Sequence, residues 1–123
     1  MCEVKLENLK LLKYDQEKLN IYFLNGLSTD KTSAEISKHI ENLPNYHLIE
    51  TQCKGKINQI NKGFASIKNK VDIIVNTDMD AILHSNVLLK FANEFNSDKK
   101  VAVVGANISP KECVAMEKYY WLN

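Results

Sequence analysis

Val71-Asp72-Ile73-Ile74-Val75-Asn76-Thr77-Asp78-Met79-Asp80 is the stretch on which the reading of this chain turns. An apolar, β-branched run that ends in two carboxylates one residue apart reads as a buried strand delivering negative charge to a sheet edge. Strand side chains alternate, so Asp78 and Asp80 face the same way if the backbone stays extended. Two neighbouring carboxylates repel unless a cation lies between them. Their hard oxygens suit Mg²⁺ or Mn²⁺, with one or two carboxylates completed by phosphate oxygens. The plainer alternative is a solvated acidic loop.

Outward from this stretch, helical and strand patterns alternate. Leu6, Leu9 and Leu12 mark a first amphipathic helix ending near Tyr14. Leu19-Asn20-Ile21-Tyr22-Phe23-Leu24 reads as a strand stopped by the turn pair Asn25-Gly26. A helix follows over 29–42, with Ile36, Ile40 and Leu43 on one face, capping-box spacing at Thr32 and Glu35, and Pro44 beyond its end. Residues 46–51 make a second strand. Ile57, Ile60, Phe64 and Ile67 predict another helix, bounded by Gly55. Residues 85–95 form a helix with Leu88, Phe91 and Phe95 inward, and Val101-Ala102-Val103-Val104 is a further buried strand before Gly105. A last helix begins near Glu112. This alternation predicts an open, mostly parallel α/β sheet, and such sheets bind ligands beyond the carboxyl ends of their strands.

Composition narrows the choice of function. With 123 residues the chain makes a single domain, 1–123, with room for a core. A formal net charge of +1 and the lack of a basic stripe argue against nucleic acid as a partner. No apolar stretch approaches the roughly 20 residues of a membrane helix, and Met1-Cys2-Glu3-Val4-Lys5 does not open like a signal peptide. Cys2, Cys53 and Cys113 form an odd set without metal-like spacing, which reads as reduced thiols in a cytoplasmic chain.

Other segments carry weaker signals. Ser28, Thr29 and Asp30 can cap a helix whose first turn leaves amides unpaired. Lys54-Gly55-Lys56 is a solvated basic turn on the plain reading, or faces a phosphate at the positive end of the following helix. The glycine spacing of a Walker A loop is missing. His84 reads as a surface or helix-capping residue.

In order, these pieces resemble the family-2 glycosyltransferases of the GT-A fold. The first strand ends in Asn25-Gly26-Leu27-Ser28-Thr29-Asp30-Lys31-Thr32, against the family's D-G-S-T-D-G-T-like turn. Gly55-Lys56-Ile57-Asn58-Gln59-Ile60-Asn61-Lys62-Gly63 matches G-K-x-x-A-L-N-x-G, and Asp78-Met79-Asp80 follows a buried strand as D-x-D does. The resemblance implies a Rossmann-like sheet and a nucleotide-diphospho-sugar donor (a UDP- or GDP-sugar). It implies Asp80 as ligand of Mg²⁺ or Mn²⁺, Asp78 on the ribose or the metal, Lys56 near the nucleotide-sugar and Asp30 in the nucleotide-side turn.

The chain also departs from that family. Met1 falls just after the place of the family's first strand, so the sheet is expected to lack it. The base-contacting aspartate aligns with Asn25 or Gly26, neither of them charged. The acceptor-side catalytic carboxylate would lie past Asn123, which leaves the catalytic base unassigned, and Glu112 and Glu117 carry no mark of one. In the family the first strand lies between the strands at 19–24 and 71–77. Without it these two are expected to close up, or a second copy to cover the gap as a homodimer. Two alternatives stand beside the transferase reading. One is a non-catalytic α/β interaction module of glycosyltransferase descent. The other is a Mg²⁺-dependent phosphohydrolase, whose D-x-D normally opens the fold, whereas here it lies past the middle of the chain.

Overall fold

A computed structural model describes residues 2–26 and 31–106, which fall into two compact units. Of these, Cys2, 15–26 and 31–78 make one; 3–14 and 79–106 make the other. Asp30, the expected last helix with Glu112 and Glu117, and Cys113 lie outside the described residues.

The 15–78 unit is built on two parallel strands, β1 (Ile21–Asn25) and β2 (Tyr46–Glu50), in register from Ile21 opposite Tyr46 to Asn25 opposite Glu50. Aromatic and β-branched residues favour the pleated backbone. Tyr22 stacks on His47 with ring centroids 4.7 Å apart, and Phe23 lies 6.5 Å from Tyr46. Asn45 fixes the entry of both strands: its carbonyl accepts from the Ile21 amide at 2.8 Å and its side chain donates to the Leu19 carbonyl at 3.1 Å. Helix α2 (Thr32–Ile40) joins the strands and buries Ile36 and Ile40, one turn apart on a single face. The mixed α/β fold with a small open parallel sheet is the one expected.

Helix α3 (Lys56–Ile67) follows β2. Its start needs Gly55, whose φ of 85° is costly for any side chain. Its contact with β1 centres on Gly63, where an added Cβ would sit 2.7 Å from both Leu24 Cδ atoms. Only a residue without Cβ lets helix and strand approach this closely.

The other unit holds α1 (Cys2–Lys10) and α4 (Val87–Ser97). Leu6, Leu9, Leu12, Leu83, Val87 and Leu88 are its buried apolar residues among those described.

Several expectations fail, for physical reasons. Neither 71–77 nor 101–104 forms a strand, and β1 and β2 make the only ladder among the described residues. A strand needs a neighbouring strand to take its backbone groups, and among the described residues neither run lies in a ladder. Their side chains stay in solvent: Ile73, Ile74 and Val75 are 38–41% exposed and Val103 is 85% exposed. Residues 71–77 therefore do not close up against β1. On α3 the apolar stripe is only partly covered: Ile60 and Ile67 are half-buried, Ile57 is 74% and Phe64 50% exposed, and Gly63 is the residue laid against Leu24. The capping box is not built either. Helix α2 starts at Thr32, which puts Lys31 at the cap position without a side-chain cap. Helix α1 stops at Lys10, short of Tyr14.

Candidate functional site

The carboxyl ends of β1 and β2 lie side by side because the strands are parallel and in register. The Asn25 carbonyl accepts from the Thr51 amide at 2.7 Å and from its hydroxyl at 3.2 Å, extending the ladder one residue beyond β2. The Asn25 side-chain amide donates to the Ser33 hydroxyl in the first turn of α2. Beside it, Gly26 sits so close to Gln59 and the Cys53 carbonyl that a Cβ would overlap the Gln59 amide. Two loops thus meet at one edge of the sheet, and Lys56 opens α3 there.

Asp78 joins this edge through Lys56, whose ammonium lies 2.5 Å from Asp78 Oδ1. Both side chains are more than half exposed. An ion pair in that setting contributes about 0–1 kcal/mol. Either partner can therefore exchange it for a better one at small cost.

Asp80 is exposed, and Met79 and Asp80 lie in a turn. The extended backbone that would aim Asp78 and Asp80 alike through strand alternation is not present. Among the described residues no group of three or more His, Cys, Asp or Glu side chains is arranged to hold a metal ion. A protein-only metal cage is therefore not what these residues make. His84 Nδ1 accepts from the Asn86 amide at 3.1 Å just ahead of α4, a local bond in the turn, while the helix itself starts without a side-chain cap.

Two residues that the sequence reading passed over stand behind Asp80. Lys5 is 3% exposed and donates to the Ala81 carbonyl at 2.6 Å. Asn8 is 6% exposed and pairs twice with Leu83, donating to its carbonyl and accepting from its amide, both at 2.8 Å. A signal for Lys5 was present. On a helical projection it falls between Leu9 and Leu12, inside the apolar arc, where a solvated lysine has no place.

The mixed α/β fold gathers polar residues at the carboxyl edge of a parallel sheet, which is where open α/β sheets bind their ligands. The family model for glycosyl transferase family 2 matches residues 6–120, nearly the whole chain. The chain belongs to that family, as a glycosyltransferase-like domain. No curated protein and no solved structure matches it. Among the described residues, no helix is long and apolar enough to cross a membrane.

Proposed function

We propose that this domain binds a nucleotide-diphospho-sugar through a divalent cation held by Asp80, and serves the transfer of the sugar to an acceptor. The observation that carries this reading is the match of the family model through the D-x-D segment. The donor chemistry agrees with it. One or two carboxylates are what Mg²⁺ takes from a protein when phosphate oxygens complete its shell, and the Asp78–Asp80 pair supplies that number. Such an ion neutralises charge that builds on the departing diphosphate.

On this reading Lys56 and Asp78 give up their weak mutual pair when the donor arrives. Lys56 turns to a phosphate and Asp78 to the ribose or the metal, while Asp30 belongs to the turn on the nucleotide side. Calorimetry with UDP- and GDP-sugars tests the proposal. Binding in the presence of Mn²⁺ that disappears with EDTA is the expected result. Silence with every nucleotide would favour a non-catalytic module of the same descent.

The reading includes a homodimer in the cytoplasm. Among the described residues β1 is in a ladder with β2 alone, and the open edge of a two-stranded sheet invites pairing with another chain. In the same unit, Ile57, Phe64, Ile73, Ile74 and Val75 are exposed. Light scattering is expected to give twice the chain mass at high concentration, and a strictly monomeric protein there would overturn the dimer.

A further inference from the structure

We infer that Asn8 and Lys5 are positioning residues for Asp80, an inference that rests on the proposed role of Asp80 as a cation ligand. Three backbone carbonyls two residues apart in sequence are held from the α1 side. Ala81 is held by the Lys5 ammonium at 2.6 Å, Leu83 by the Asn8 amide at 2.8 Å, and Ser85 by the Lys13 backbone amide at 2.8 Å. The Leu83 amide returns a bond to Asn8 Oδ1 at 2.8 Å, so Asn8 pairs with Leu83 as a neighbouring strand would. Among the described residues, 81–85 belong to no ladder, and the α1 side supplies bonds of the kind a neighbouring strand would give.

The residue types make this more than packing. Burying a lysine ammonium costs several kcal/mol before its contacts offset it, and an apolar residue of similar volume is often as stable or more so. A lysine inside the apolar arc and a buried asparagine at its margin break the local rule for a nine-residue helix. Both spend their polar groups on backbone within three residues of Asp80. Ala81, the Lys5 anchor, is its immediate neighbour. Asp80 itself lies in a turn, which leaves its placement to the anchored segment that follows. Fixing those carbonyls fixes where the carboxylate is presented. A ligand without rigid support would bind its ion more weakly, as metal sites do by about 10–100-fold when the groups orienting their ligands are removed.

The test uses the full chain with ¹⁵N labelling, amide hydrogen exchange and Mn²⁺ with UDP as probe. In Asn8→Ala, exchange at Leu83 is expected to quicken at least about tenfold as its buried acceptor is lost. The amide signals of residues 79–82 should shift, those of β1 and β2 should stay in place, and Mn²⁺-dependent UDP affinity should fall about tenfold or more. Lys5→Met, which keeps the aliphatic stem and removes the donor, should shift the same signals and weaken the same affinity; it carries the test if Asn8→Ala does not fold. Leu9→Ala, a core truncation with no polar group, serves as the control and should lower the melting temperature without touching Mn²⁺ affinity.

Faster exchange at Leu83 with the 79–82 signals and the Mn²⁺ affinity unchanged would reduce the pair to scaffolding and overturn the inference. Wild-type protein that shows no Mn²⁺ broadening at Asp80 would overturn the cation reading separately. The 79–82 signals would then decide the positioning by themselves: shifted in Asn8→Ala they uphold it, and unmoved they overturn it.

Discussion

Replacing Asp80 by alanine is expected to abolish the Mn²⁺-dependent part of nucleotide-sugar binding, weakening it by at least about 100-fold, or roughly 2.7 kcal/mol. Among the described residues no third acidic group stands ready to take over the ion. The loss therefore falls first on Asp80, the carboxylate that the resemblance names as metal ligand, with Asp78 on the ribose or the metal. Asp80 is exposed, so its removal leaves no cavity and the melting temperature should hardly change. Calorimetry with and without EDTA separates the two contributions. In EDTA the variant and the wild type should bind equally weakly, and only with Mn²⁺ should they part. Asp78→Asn should cost less, because Asp78 already shares its charge with Lys56 across 2.5 Å. A variant lacking the Asp80 carboxylate that still responds to Mn²⁺ as the wild type does would remove the cation from the proposal.

What could be read in advance, and what could not, follows from what a sequence pattern reports. Leu6, Leu9 and Leu12 repeat at helical spacing and all three are buried, as are Ile36 and Ile40. In these helices periodicity and burial coincide because each has something to pack on. Val71 to Val75 has the composition of a buried strand, but composition records a readiness to pair and says nothing of whether a partner exists. In the described residues no partner does, and the run stays out of the sheet. The α3 stripe reported the helix but not which of its residues meets the sheet. Ile57 and Phe64 mark an apolar face correctly, yet Gly63 is what touches Leu24. The acidic pair was legible as chemistry, whereas its geometry was not, since the alternation rule lapses where Met79 and Asp80 turn. Lys56 and Asp78, each named for the nucleotide side, do meet. Lys5 and Asn8 went unseen because their partners, Ala81 and Leu83, are more than 70 residues away in sequence and offer only backbone.

Ile36→Ala is expected to destabilise the protein by about 2–5 kcal/mol, the largest loss from a single side chain in the 15–78 unit. Ile36 is 2% exposed, on the face of α2 that covers the sheet, and a two-stranded sheet has few other residues to share the loss. Truncation removes three carbons' worth of burial and leaves a cavity that close-packed neighbours fill only in part. Against a total stability of about 5–15 kcal/mol, such a change unfolds an appreciable fraction of molecules at moderate temperature. Denaturant titration measures it as a lower midpoint with an unchanged slope. The companion variant Ile57→Ala gives the comparison its force. Ile57 is 74% exposed in the single chain, so its truncation should stay within about 0.5 kcal/mol at dilute protein. If the exposed face of α3 is covered in a dimer, the cost of Ile57→Ala grows with protein concentration, because association adds to stability by mass action. Ile36→Ala should cost the same in the dilute and concentrated samples. An Ile57→Ala cost as large as that of Ile36→Ala even at high dilution would mean that the α3 face is buried within one chain, contrary to the fold described.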